Sequence, residues 1–178
     1  ADPPLSEQGH DQATALASWL LGGGQIDRVY SSPMRRAQET AQPVADELGL
    51  EIEIEPRVSE YDRDSSIYVP IEELKRTDYE AWRAFMKQGY PPGMDLTEFY
   101  QAVIAGVGDI VADNKGRRVA VFCHGGVINA WASAVMEFDF RLFFNPMYTS
   151  VNRFYASTEG IQSVGSLNET AHLRGIGP

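Results

Sequence analysis

Cysteine is almost absent from this chain: Cys123 is the only one in 178 residues. An intrachain disulfide and a multi-cysteine zinc site are therefore excluded. Histidine is nearly as scarce. His10, His124 and His172 are scattered along the sequence and show no metal-ligand spacing. Apolar runs are short, and none approaches the roughly 20 residues that a membrane-spanning helix requires. Positive charge is under-represented, with 15 Lys plus Arg against 25 Asp plus Glu and a formal charge of -10. That balance argues against nucleic acid or an anionic membrane as partner. A small phosphorylated substrate remains compatible, because a few arginines converging in a cleft dominate the local field. No leader pattern follows Ala1, and the expected location is the cytoplasm. With 43% hydrophobic and 22% charged residues, the composition is that of one globular domain over residues 1–178.

The pattern alternates strands and helices. Ser6 is placed to cap a helix carrying Ala13, Leu16, Ala17 and Leu20, which Gly22, Gly23 and Gly24 stop. Residues 27–32 read as a short strand. Ser32 is then expected to cap a second helix with Pro33 at its first position, running to Leu48 and ending at Gly49, with a kink at Pro43. Glu51–Glu55 alternates with period two, as a half-exposed strand does. Helices are expected from Ile71 to Lys87, closed by Gly89 and the turn at Pro91-Pro92-Gly93, and from Leu96 to Asp113. Arg118–Cys123 is the best candidate for a buried strand, turned by His124-Gly125-Gly126 into a helix over Val127–Met136. Val151–Ala156 and Ile161–Val164 close the chain as two strands. The implied fold class is α/β, a three-layer sandwich with a mostly parallel central sheet flanked by helices.

In such sheets ligands sit beyond the carboxyl ends of strands, where loops pass into helix N-termini. Two junctions of that kind carry unusual chemistry, Ser31–Arg36 and Phe122–Gly126. The first joins hydroxyls, helix N–H groups and two arginines, a setting suited to phosphate; an arginine pair in a first helical turn is also an ordinary solvated surface. At the second, His124 projects into the cleft or is satisfied inside the core, and the glycines let main-chain N–H groups approach a ligand. Cys123 is no nucleophile partner for His124, since adjacent strand residues face opposite ways. A cysteine phosphatase would also need an arginine at position 129, which is Asn129. Asp62-Arg63-Asp64 matches the paired aspartates of aspartyl-phosphate enzymes but does not follow a hydrophobic strand. The aromatic stretch Phe138–Tyr148 suits a core or a homodimer interface.

Taken together these segments resemble the histidine phosphatase superfamily, the phosphoglycerate-mutase-like branch 1. Leu5-Ser-Glu-Gln-Gly9 with Gln12-Ala13 is similar to its first-helix pattern, and Tyr30–Ala41 to its central signature. Arg57–Glu60 is similar to the segment bearing its acidic residue, and Phe122–Gly126 to its second histidine motif. The resemblance implies phosphoryl transfer through a phosphohistidine, with no cofactor and no metal. Arg36 and His124 would hold the phosphate oxygens, Glu60 would act as acid and then base, and Gly125 and Arg63 would add substrate contacts. Tyr61 and Tyr68 are expected near the leaving group, and Thr149 and Asn152 in the pocket lining. The family's nucleophile lies in an Arg-His-Gly motif ending a strand upstream of the first helix. These 178 residues contain no such motif, so a strand and nucleophile carried before Ala1 are expected. The leading function is a phosphomonoesterase. A phosphoglycerate-mutase-type phosphotransferase and a non-catalytic module binding a phospholigand or protein are the alternatives.

Overall fold

A computed structural model describes residues 2–65, 71–89 and 95–176. Helix α1 (Glu7–Gly22) begins at Ser6, whose hydroxyl accepts the Gly9 N–H at 3.1 Å, as the sequence predicts. Strand β1 (Arg28–Ser31) leads to α2 (Arg35–Leu48), which Gly49 ends in the left-handed conformation, φ 62. Then follow β2 (Ile52–Ile54), a 3-10 turn at Pro56–Val58, α3 (Ile71–Thr77), α4 (Tyr79–Gln88) and α5 (Thr97–Asp113). Strand β3 (Val119–Phe122) passes into α6 (Gly125–Val135), and β4 (Val151–Ala156), β5 (Gln162–Glu169) and a 3-10 turn at Ala171–Leu173 complete the chain.

Strands β2, β1 and β3 form a parallel sheet in that order, with Val29 beside Ile52 and Ala120. Period-two alternation sorts their side chains between two cores. Ile52, Val29, Ala120 and Phe122 pack against Leu16, Ala17 and Leu20 of α1 and against Ala41 and Val44 of α2. Val121 and Cys123 face the other way, toward Val103 and Val107 of α5 and Val127, Ala130 and Trp131 of α6. The sheet is thus sandwiched between helical layers, the expected architecture. Each fully buried aliphatic side chain contributes about 1.5–3 kcal/mol, so these two clusters, more than helix propensity, hold the layers together.

Four boundaries differ from expectation. Helix α2 starts at Arg35 with Met34 as its cap position, because Ser32 has turned its hydroxyl to other work and Pro33 lies outside the helix. The helix expected over 71–87 breaks into α3 and α4 at Asp78, whose carboxylate caps α4 through the Ala81 N–H at 2.9 Å. Helix α6 begins two residues earlier than expected, at Gly125. The last strand is longer than expected and pairs with β4 in a separate antiparallel hairpin. Gly106 inside α5 has a packing reason: an added Cβ would stand 2.8 Å from the Arg57 Cβ. The turn expected at 91–93 lies outside the described residues.

Among the described residues, β3 pairs only with β1 and β4 only with β5. Both line one cavity of about 1640 Å³, well above the roughly 300–1,000 Å³ of ordinary ligand pockets. Among the described residues no helix is long and apolar enough to cross a membrane.

Candidate active site

Because β1 and β3 are neighbours, their carboxyl ends bring the starts of α2 and α6 side by side on the lining of this cavity. Arg36 sits in the first turn of α2 with its side chain only 15% exposed. The helix start is fixed from outside: Asp2 accepts the Arg35 N–H at 2.9 and 3.0 Å through its two carboxylate oxygens, and one of them lies 3.5 Å from the Arg36 guanidinium. A carboxylate there satisfies the first N–H of the helix, which the Met34 side chain cannot cap, and complements the helix dipole. Glu39 ties the same corner together, accepting from the Leu5 N–H at 2.7 Å and from Arg35 Nε at 2.6 Å. Those bonds hold its carboxyl below the usual carboxylate range.

Glu60 follows the 3-10 turn and reaches the start of α6. Its Oε2 accepts the Gly126 N–H at 3.0 Å, and its Oε1 accepts its neighbour Tyr61 N–H at 3.1 Å. Burial pushes its pKa up to about 7, against the pull of those two N–H groups and of Arg36, with the Asp62 charge adding to the rise. A carboxyl at that value is poised to give and take a proton near neutrality. His124 is the cap residue of α6 and is 8% exposed. Burial, helped by the Arg36 charge, lowers its pKa to about 3, so the ring is neutral across the physiological range. Burial raises the Cys123 thiol to about 12, leaving it inert as a nucleophile.

The two glycines after His124 are not equivalent. A Cβ on Gly126 would overlap Glu60 Oε1 and stand 2.8 Å from Tyr61 Cδ1, whereas one on Gly125 meets nothing nearer than Pro146 Cδ at 3.6 Å. Gly126→Ala is therefore expected to lower stability by about 1–3 kcal/mol through overpacking and to displace the carboxylate. Gly125→Ala should be close to neutral for stability. Urea denaturation of the two variants side by side checks this; equal loss in both would show that the Glu60 contact does not decide the difference.

Arg36, Glu60, His124 and Gly125 all line the cavity, as do Tyr61, Asp62, Thr149 and Asn152. Arg63 does not belong to the described lining; its guanidinium is half-exposed and lies 3.4 Å from the Asp64 carboxylate. Tyr61 packs edge-to-face on Phe99 at 5.9 Å between ring centres. Tyr68 lies outside the described residues. Asp62 and Asp64 occupy a turn, not a strand end. His10 is exposed on α1, and His172 bonds Thr149 Oγ1 at 3.1 Å beside the Trp19 ring. Of the aromatic stretch, Phe140 stacks on Tyr100 in the core, while Tyr148 is 53% exposed. Among the described residues no cluster of three or more His, Cys, Asp or Glu could hold a metal ion. Two contributors were not legible in the sequence: Ser32, which reads as a helix cap, and Asp2, which lies 34 residues from Arg36 and carries no local pattern.

The geometry offers a neutral ring, a guanidinium and a protonatable carboxyl on the lining of one cavity, with Arg36 close enough to act on the charge of both other groups. A bifunctional protein of Mycobacterium tuberculosis is 27% identical over 97% of this chain, which spans 49% of that protein. The chain thus spans about half the length of the first curated relatives it matches. Phosphoserine phosphatase 1 of Hydrogenobacter thermophilus is also 27% identical, over 97% of this chain and 83% of its own length. The solved phosphoserine phosphatase of Entamoeba histolytica superposes with a TM-score of 0.75 at 23% identity, over 97% of this chain and 88% of that one, a likeness of fold. The family model of the histidine phosphatase superfamily (branch 1) matches residues 1–169, and the chain belongs to that family.

Proposed function

We propose that this chain forms most of a phosphomonoesterase that hydrolyses a small phosphorylated substrate through a phosphohistidine. The observation that carries the proposal is the convergence of Arg36, His124 and Glu60 on one cavity, with the Glu60 pKa at about 7. Arg36 and His124 hold the equatorial oxygens of the transferring group, whose charge must be met by fixed donors. A histidine attacks phosphorus, the ester P–O bond breaks, and Glu60 gives its proton to the leaving oxygen. The resulting carboxylate then takes a proton from the water that opens the phosphohistidine. The attacking histidine comes on a further strand, a reading supported by β3 and β4, each of which has one edge unpaired among the described residues and lines the oversized cavity.

The test uses the full-length native protein with an aryl phosphate and with phosphoserine, the latter because of the name of the Hydrogenobacter relative. Hydrolysis together with acid-labile phosphate on a histidine supports the proposal. Phosphate binding without turnover would favour a non-catalytic module, and transfer within a phosphoglycerate in place of release would favour a mutase. An intact mass of 19.7 kDa, that of this chain alone, would remove the additional strand. A cytoplasmic location and a homodimer complete the reading, and cell fractionation and light scattering decide them.

A further inference from the structure

We infer that Ser32 is a positioning residue that locks the neutral His124 ring in its Nδ1–H tautomer. The inference rests on the proposed role of His124 as a phosphate-binding donor, but its first test does not depend on turnover. Ser32 is fully buried and His124 nearly so, and Ser32 Oγ lies 2.7 Å from His124 Nε2. Which of the two atoms carries the shared proton is decided by what else each must satisfy.

A serine hydroxyl has one proton to give and two lone pairs to receive with. Ser32 Oγ already receives the Met34 N–H at 3.3 Å. If His124 carried its proton on Nε2, Oγ would accept twice, and its own proton would be left without an acceptor. Among the described residues the ring nitrogen is the one acceptor placed for that proton; the neighbouring Ser31 hydroxyl donates to the Ser32 carbonyl and offers no relief from its own proton. Leaving a buried hydroxyl proton unmet carries the desolvation cost of that group, enough to reverse the preference of a free imidazole for Nε2–H. With Oγ donating to Nε2, the ring proton must sit on Nδ1. The hydrogen bond at one ring nitrogen thereby sets the chemistry of the other. The ring becomes a fixed donor to an anion and needs no proton from solvent, which agrees with the low pKa that keeps it uncharged.

The junctions supply this contact because β1 and β3 are in register, Ser31 beside Phe122, so the next residues of each strand leave the sheet side by side. Sliding either strand would separate serine from histidine. The bond is therefore also a direct side-chain link between the arginine-bearing junction and the histidine-bearing junction.

The experiment is nitrogen-15 imidazole NMR of the full-length protein, with His124 assigned by comparison with His124→Gln. The expected spectrum shows His124 with its proton on Nδ1; a proton on Nε2 overturns the inference outright. Ser32→Ala should shift His124 toward Nε2–H and lower kcat by roughly 10–100-fold, the usual size for an orienting partner, with KM within about threefold. Ser32→Thr, which keeps the hydroxyl, should retain both the Nδ1–H tautomer and most of kcat. Unchanged tautomer in Ser32→Ala, or loss of the tautomer in Ser32→Thr, overturns the assignment. Should the protein fail to hydrolyse any phosphate ester, the proposed function falls while the wild-type tautomer still decides this inference.

Discussion

Arg36→Ala is expected to lower kcat/KM of the full-length protein toward an aryl phosphate by roughly a thousandfold or more, the range for a guanidinium that meets a transferring phosphoryl group. Each tenfold corresponds to about 1.4 kcal/mol of transition-state stabilisation, so the loss is about 4 kcal/mol. The fold should survive it. The pairing of Arg36 with Asp2 is long and partly exposed, and such ion pairs are worth about 0–1 kcal/mol. Arg36→Lys keeps the charge but loses the planar fork that matches two phosphate oxygens, and should recover little of the activity. Steady-state kinetics of the two variants, with thermal melting as control, is the measurement. Activity within tenfold of wild type in Arg36→Ala would remove this residue from the phosphate site.

The second large effect concerns Glu60 and depends on the leaving group. An alkoxide leaves poorly without a proton, whereas an aryl oxide leaves well without one. Glu60→Gln should therefore cost roughly 10²–10⁴-fold on an alkyl phosphate such as phosphoserine and far less on a nitrophenyl phosphate. Similar losses on both would argue that Glu60 positions substrate and does not donate. The pH dependence follows from the raised pKa. Below about 7 the carboxyl is protonated and able to donate; above it the acid is lost, so kcat/KM for the alkyl substrate should fall tenfold per pH unit. In Glu60→Gln that limb should vanish. The same shift has a signature in stability. A carboxyl whose folded pKa lies above its ordinary value of 4.5 binds its proton more tightly when folded. Its contribution is complete below 4.5 and is lost as pH rises through 7, by about 3 kcal/mol in total. Melting temperatures of wild type and Glu60→Gln between pH 4.5 and 8 should diverge accordingly.

Much of this site is legible in the sequence because it lies at strand-to-helix junctions. Arg36 and His124 each follow a short β-favouring run and precede a helical one, which fixes their place at the carboxyl edge of a parallel sheet before any contact is known. Layering is legible for the same reason, since alternation along Arg118–Cys123 assigns opposite faces to Phe122 and Cys123. Local rules misjudge Ser32. Serine before proline and a helix reads as a cap, yet a ring 92 positions away competes for the hydroxyl and wins. The break at Asp78 was hidden because hydrophobic periodicity runs across it, and only the carboxylate cap on Ala81 reveals it. Gly125 and Gly126 look interchangeable as a turn; only the position of the Glu60 carboxylate tells them apart. For Ser32 and for Gly126 the missing information is a contact between segments remote in sequence, whereas at Asp78 it is a local cap.

The two helix starts on the cavity lining have a further meaning. Helices α2 and α6 both open there, and each presents the positive end of its peptide dipoles, equivalent to about half an elementary charge. That charge belongs to the main chain, so no side-chain replacement removes it. At α2 that charge is already met by the Asp2 carboxylate, and at α6 by the Glu60 carboxyl, which accepts the Gly126 N–H. The field an anion meets here is therefore set by the protonation state of Glu60 as much as by the helices: with the carboxyl neutral below about pH 7, the α6 end is open to a phosphate charge, and above it the carboxylate competes.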